Sequence, residues 1–383
     1  MGSEEECFDK SGPEHITDID WGKEEHRRSI TACLVKATSL LESDRIKGRQ
    51  GTPAARAPAW WERLHFRLHR PLLTRRHPPA AAPPPRFVVA FRGTKLRFIP
   101  DIKDDLRIVL NRQGACSRFR KAREHVAELL ASIGGDGAVW LAGHSLGASV
   151  ALDVGRDLMM GKKERNLPTF LFNPPYVSLA AFVSSTLRAS EAARQDWFSF
   201  KCVAKGAAAC TVMRSRDKRM EDMFRRLGPW VPELYVHKDG KICQGYIDHF
   251  ERQEKVLAER TGILRRLANK GVKHSFRDMA QSSSARPNYT QGHTVDDEEE
   301  VQQRVQPHLL PSVRLWKSST EISGFCHTGW KPPFSTGWET SFSAVNEAVE
   351  ELNHAIKAHK LKHWWKPDEE LNLSPKRYLY RRA

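Results

Sequence analysis

A short apolar run, Ala138-Val139-Trp140-Leu141-Ala142, ends in Gly143-His144-Ser145-Leu146-Gly147, and a segment rich in Ala, Val and Leu, Ala148–Met160, begins at the next residue. That order places a glycine-flanked serine on a sharp turn from strand into helix. A G-x-S-x-G pentapeptide arises by chance in roughly one chain in ten of this length, so the strand before it and the helix after it carry the argument. Side chains at Gly143 and Gly147 would collide with the packed neighbours of so tight a turn. The turn lifts the Ser145 hydroxyl above the sheet edge. It also aims the Leu146 backbone N–H, at the positive end of the helix, at whatever that oxygen attacks.

The surrounding pattern repeats the same alternation. Phe87-Val88-Val89-Ala90-Phe91 and Thr169-Phe170-Leu171-Phe172 are short apolar runs, stopped by Arg92-Gly93-Thr94 and Asn173-Pro174-Pro175, and Leu234-Tyr235-Val236 is a further candidate strand. Helical spacing recurs over about 24–44 and over Ser117–Ile133, where Phe119, Ala122, Val126, Leu129, Leu130 and Ile133 form one stripe. Strands alternating with helices predict an α/β fold with a mostly parallel central sheet and helices on both faces. The spacing predicts an N-terminal helical segment over 1–73, a Pro/Ala/Arg-rich linker over 74–86 and a catalytic-type domain over 87–383. Polar stretches at 271–305 and 316–340 are expected to be disordered insertions, and helical spacing returns over Phe342–Leu361.

Charge narrows the function classes. Lys and Arg number 62 against 46 Asp and Glu, a net charge of +16. The basic residues are dispersed among acidic and apolar ones, and no nucleic-acid-binding motif occurs, so nucleic acid is not the expected partner. Contact with an anionic membrane surface is compatible with the charge. No apolar run reaches the ~20 residues that span a bilayer. The acidic start, Met1–Lys10, has no signal core, so a cytoplasmic protein is expected. Seven scattered cysteines without a C-x-x-C pair point away from a disulfide scaffold and from a zinc site.

Phe91-Arg92-Gly93-Thr94, followed about fifty residues later by Gly143-His144-Ser145-Leu146-Gly147, resembles the class 3, fungal-lipase-like α/β-hydrolases. Further pieces resemble one plant branch, often labelled GDSL esterase/lipase. They include Asp20-Trp21, His26-Arg27-Arg28-Ser29, Trp60-Trp61, Phe172-Asn173-Pro174-Pro175, Ile242-Cys243, His308-Leu309-Leu310-Pro311-Ser312 and Trp364-Trp365-Lys366-Pro367-Asp368. No Gly-Asp-Ser-Leu block is present. The resemblance implies an α/β-hydrolase fold and a serine ester hydrolase acting on ester or lipid substrates through a Ser–Asp–His triad, without a metal or organic cofactor.

The roles then fall on particular residues. Ser145 is the nucleophile. The oxyanion hole needs two donors; Leu146 N–H is one, and in lipases of this type the residue after the strand-end Arg-Gly, here Thr94, supplies the other. The acid follows a later strand, and Asp239 is the first candidate, with Asp248 and Asp217 behind it. The family pattern resembles Gly-Asp-x-Ile-Cys, whereas this chain reads Asp239-Gly240-Lys241-Ile242-Cys243, with the carboxylate displaced by one position. The base is a C-terminal histidine, with His359 first and His363 and His354 as competitors. The displaced Asp239 and the stretch ahead of His359 motivate an alternative, a hydrolase-like binding or signalling protein with an impaired triad.

Overall fold

The computed structural model describes residues 13, 15–46, 84–93, 117–133, 139–176, 190–211, 213–274, 309–320 and 353–380. Helix α1 (Glu24–Ile46) precedes β1 (Phe87–Phe91), α2 (Ser117–Ile133), β2 (Val139–His144), α3 (Leu146–Met160) and β3 (Thr169–Phe172). Next come α4 (Glu191–Cys210), α5 (Arg214–Leu227), β4 (Glu233–His237), α6 (Gly245–Glu259), α7 (Gly262–Gly271) and β5 (Val313–Ser318). A helical turn set at 353–359, here α8, leads into a 3₁₀ turn (Leu361–Trp365), the short α9 (Asp368–Leu371) and β6 (Leu373–Tyr378).

Among the described residues the strands form one six-stranded sheet in the order β1-β2-β3-β4-β5-β6. The first five run parallel and β6 closes the edge antiparallel. This is the α/β-hydrolase-type architecture, a mostly parallel sheet with helices on both faces.

The strand period of two divides the core into two layers. Val139 and Leu141 of β2, Leu171 of β3, Leu234 and Val236 of β4, and Val313 and Leu315 of β5 face α2, α3, α5 and α6. Trp140, Ala142, Phe170, Phe172 and Tyr235 face α1 and the 3₁₀ turn, against Ile30, Cys33, Trp364 and Trp365. Each such side chain, taken wholly out of water, contributes about 1.5–3 kcal/mol before the entropy of ordering it is counted.

Helix α1 belongs to this core. Its first turn carries Glu24 and Glu25, which suit the positive helix end. Arg28 is fully buried and donates to the carbonyls of Trp364 (2.6 Å) and Lys366 (3.0 Å) and to the Asp368 carboxylate. The Trp-Trp-Lys-Pro-Asp motif is therefore a clasp between the first helix and the C-terminal segment.

The structure corrects two boundaries. The stretch expected to be a disordered insertion from 316 begins inside β5, because Trp316, Lys317 and Ser318 pair with Tyr235, Val236 and His237 on one side and with β6 on the other. Gly271, the expected start of the other insertion, is the last residue of α7. Its backbone lies against α4, where a β-carbon on Gly271 would stand 1.7 Å from the Cys202 carbonyl oxygen. Residues 275–305 and 321–340 of those two insertions, most of the 1–73 and 74–86 segments, and the start of the 342–361 helix fall outside the described residues. No described helix is long and apolar enough to cross a membrane.

Candidate active site

Three parallel strands bring the chemistry to one end of the sheet. β2 ends at the serine turn, β3 ends at Asn173, and β4 ends two residues before Asp239.

Ser145 sits between β2 and α3 with φ 53° and ψ −128°. A positive φ on a serine costs on the order of 1–3 kcal/mol and persists only when its neighbours enforce it. The enforcement is visible. The Ser145 N–H donates to the Phe172 carbonyl (2.9 Å), and its own carbonyl accepts from Ala148 (2.9 Å). A β-carbon on Gly143 would lie 2.3 Å from the Gly147 carbonyl oxygen, and one on Gly147 would lie 2.2 Å from that of Phe91. Only glycine fits at either place. The end of β1 closes on the same turn, since a β-carbon on Gly93 would meet the Ser145 Cβ at 3.0 Å. The next residue, Thr94, lies outside the described residues. Leu146 opens the 15-residue α3, so its N–H is among those left without an intrahelical acceptor.

Three sets of the described histidines lie near these strand ends. His144 follows the alternation of β2, which turns its ring to the α1 side of the sheet, away from α3. Its Nε2 donates to the His359 carbonyl (2.8 Å), and burial pushes its pKa down to about 4. His359 lies there too, with its ring 5.0 Å from the His144 ring. It is almost wholly buried, and neither ring nitrogen has a hydrogen-bond partner among the described residues. Burial, and then the neighbouring His144, hold it well below the usual imidazole range. His363 pairs its Nε2 with the Ser318 hydroxyl (2.8 Å) and faces the His237 ring at 4.8 Å.

His354, in the described part of α8, hydrogen-bonds a carboxylate at this end of the sheet, the one that His237 Nδ1 approaches to 3.9 Å. Its Nε2 stands 3.1 Å from Asp239 Oδ2. The Asp239 N–H donates to His237 Nδ1 (3.1 Å), which holds the aspartate turn against the end of β4. A β-carbon on Gly240 would lie 2.6 Å from the Cys243 sulfur. That contact explains why glycine follows the aspartate in this chain.

The structure thus brings Asp239 to His354 and not to His359. The two other carboxylate candidates have partners elsewhere. Asp217 of α5 binds Lys270 (2.6 Å) and His274 (3.1 Å) of the α7 end, and Asp248 of α6 lies 3.7 Å from Arg252. His354 and His359 are five residues apart on one helix, which turns them to different sides. The i,i+5 offset was legible in the sequence; which of the two faces meets Asp239 was not.

A carboxylate touching Nε2 fixes the neutral ring as the Nε2–H tautomer. The other nitrogen, Nδ1, then keeps its lone pair for a proton from a substrate or a serine.

A curated Arabidopsis thaliana protein named as a GDSL esterase/lipase is 33% identical to this chain over 306 residues, covering 73% of the chain and 85% of that protein. The chain belongs to this esterase/lipase family. No family model and no solved structure matches it.

Proposed function

We propose that the protein hydrolyses carboxylic esters through an acyl-enzyme on Ser145. Ser145 Oγ attacks the carbonyl carbon. His354 takes the hydroxyl proton and returns it to the departing alcohol, and Asp239 holds the imidazole and offsets its charge as it becomes cationic. Water then attacks the acyl-serine by the same route in reverse. The N–H groups of Leu146 and Thr94 stabilise the oxyanion, each worth ~3 kcal/mol of barrier.

The observation that carries this proposal is the Asp239–His354 contact at 3.1 Å, at the same sheet end as a serine held at positive φ. His354 replaces His359 as the base in this scheme. A ring with no carboxylate beside it, and held neutral by burial, gains little from accepting a proton. The family membership supports the ester bond as the target. Lipid esters, the finer class 3 branch and contact with an anionic membrane are extensions that rest on the resemblance and on the net charge of +16.

The test is labelling with a fluorophosphonate probe. The wild type is expected to label and Ser145→Ala not to label. Equal labelling of the two removes Ser145 from the mechanism. A folded wild type that neither labels nor turns over short- and long-chain nitrophenyl esters favours the impaired, binding-only alternative.

A further inference from the structure

Asn173, the residue after β3, lies between the nucleophile strand and the acid strand. It is fully buried and left-handed, with φ 45°. Its backbone N–H donates to the Tyr235 carbonyl (2.8 Å), which ties it to β4. The carbonyl just before it, that of Phe172, receives the Ser145 N–H.

The side chain reaches two further elements. Oδ1 accepts from the His237 N–H (3.3 Å) and from the Cys243 thiol (3.5 Å), the two ends of the turn that carries Asp239. Nδ2 donates to the carbonyls of Ala358 (3.3 Å) and His359 (3.2 Å), the last turn of the helix that carries His354. The His359 carbonyl also receives His144 Nε2. One carboxamide therefore uses both donors and both acceptor sites, and it bridges the acid turn to the base helix directly above the nucleophile's backbone anchor.

No other residue type supplies all of this. Aspartate has the shape, but it would set a charge against two carbonyl oxygens. Glycine takes the positive φ without cost but has no amide. Aliphatic residues meet neither need.

We propose that Asn173 is a positioning residue whose neutral carboxamide sets the separation of Asp239, His354 and Ser145. The proposal rests on the relay described under Proposed function. Its effect appears in the proton-transfer step, and substrate binding stays largely untouched.

The experiment compares wild type, Asn173→Gly and Asn173→Asp by kcat and KM for a nitrophenyl ester across pH 5–9, with circular dichroism and thermal melts as controls for folding. Displacements of about 1 Å in such relays cost on the order of 10²-fold in rate. For folded Asn173→Gly the expected result is a kcat loss of that order with KM within about threefold. For Asn173→Asp the deficit is expected to shrink as the pH falls and the carboxyl regains a proton to donate.

A folded Asn173→Gly with wild-type kcat and pH profile overturns the proposal. So does a loss confined to KM. If neither variant folds, Asn173 is a folding residue and the positioning role is withdrawn. A wild type without turnover or probe labelling is a separate result, and it refutes the relay itself.

Discussion

Acid should unfold this protein through its buried histidines. Burial holds His249 and His363 down to about 3 and His144 to about 4, and it holds His359 well below 6.5. In the unfolded chain each titrates near 6.5. As the pH falls below that value the unfolded state takes up protons that the folded state refuses, so stability present above 6.5 is lost until the folded values are reached. At pH 5 each histidine that stays neutral costs about 2 kcal/mol relative to pH 8.

Two carboxyl groups act in the opposite sense. Burial, with Glu24 adding to it, raises Glu233 to about 7, and burial raises Asp153 to about 6. Both gain a proton in the folded state first and return together about 4 kcal/mol by pH 5. The net loss from these six groups is about 4 kcal/mol, a large part of the 5–15 kcal/mol that holds a typical domain folded. Thermal melts at pH 8 and pH 5, at constant ionic strength, should differ by roughly 5 °C.

The variant that isolates the cause is His249→Phe. That ring sits among Tyr176, Phe198 and Phe250, where an apolar ring of similar size fits. It should remove about 2 kcal/mol of the pH dependence between 8 and 5. A melting temperature at pH 5 equal to or above that at pH 8, or an unchanged slope in His249→Phe, would refute the reasoning.

Three further outcomes follow from the geometry. His354→Ala should lower kcat by about 10³-fold or more while the protein stays folded, and His359→Leu should cost at least ten times less; the reverse order in steady-state assays would move the base back to His359. Gly147→Ala should destabilise the protein by more than ~3 kcal/mol, because its methyl would enter the Phe91 carbonyl oxygen; a wild-type urea midpoint would contradict the packing at the elbow. Arg28→Ala should cost about 3–5 kcal/mol in urea titration, because it strips two carbonyls and the Asp368 carboxylate of one shared donor, and Arg28→Lys should recover little of it, since an ammonium cannot reproduce the planar fork.

Where a segment is buried on both faces, its apolar character is continuous and local, and such segments were legible. Thr169–Phe172 and the glycine-flanked turn at Ser145 are of this kind, and the half-buried Phe87–Phe91 and the one-sided stripe of Ser117–Ile133 were legible too, the latter by its helical period. Edge elements carry no such signal. β6, Leu373–Tyr378, is mostly exposed and contains Pro375, which an edge strand tolerates and a central strand would not. β5 alternates Val313 and Leu315 inward with Arg314 outward, but its second half merges with a Ser- and Trp-rich stretch. The helices over 190–271 carry apolar stripes as well, such as Met220, Met223, Phe224 and Leu227 of α5, set among many basic residues.

At the site, the glycine-flanked serine turn is local in sequence and could be read. The pairing of Asp239 with His354 was not, because it joins positions 115 residues apart and depends on how α8 is rotated. Asn173 could be seen as a strand stop, and only its contacts show what it connects.

The Arg28 clasp bears on the order in which the protein becomes competent. Ser145 and Asp239 leave the ribosome long before Trp364 and Asp368, so a nascent chain holds its serine turn while the helix that covers the other sheet face has no latch. The clasp closes only once Trp364–Asp368 has been made. A protease that nicks this segment would therefore loosen the packing behind a serine turn more than two hundred residues upstream without touching it.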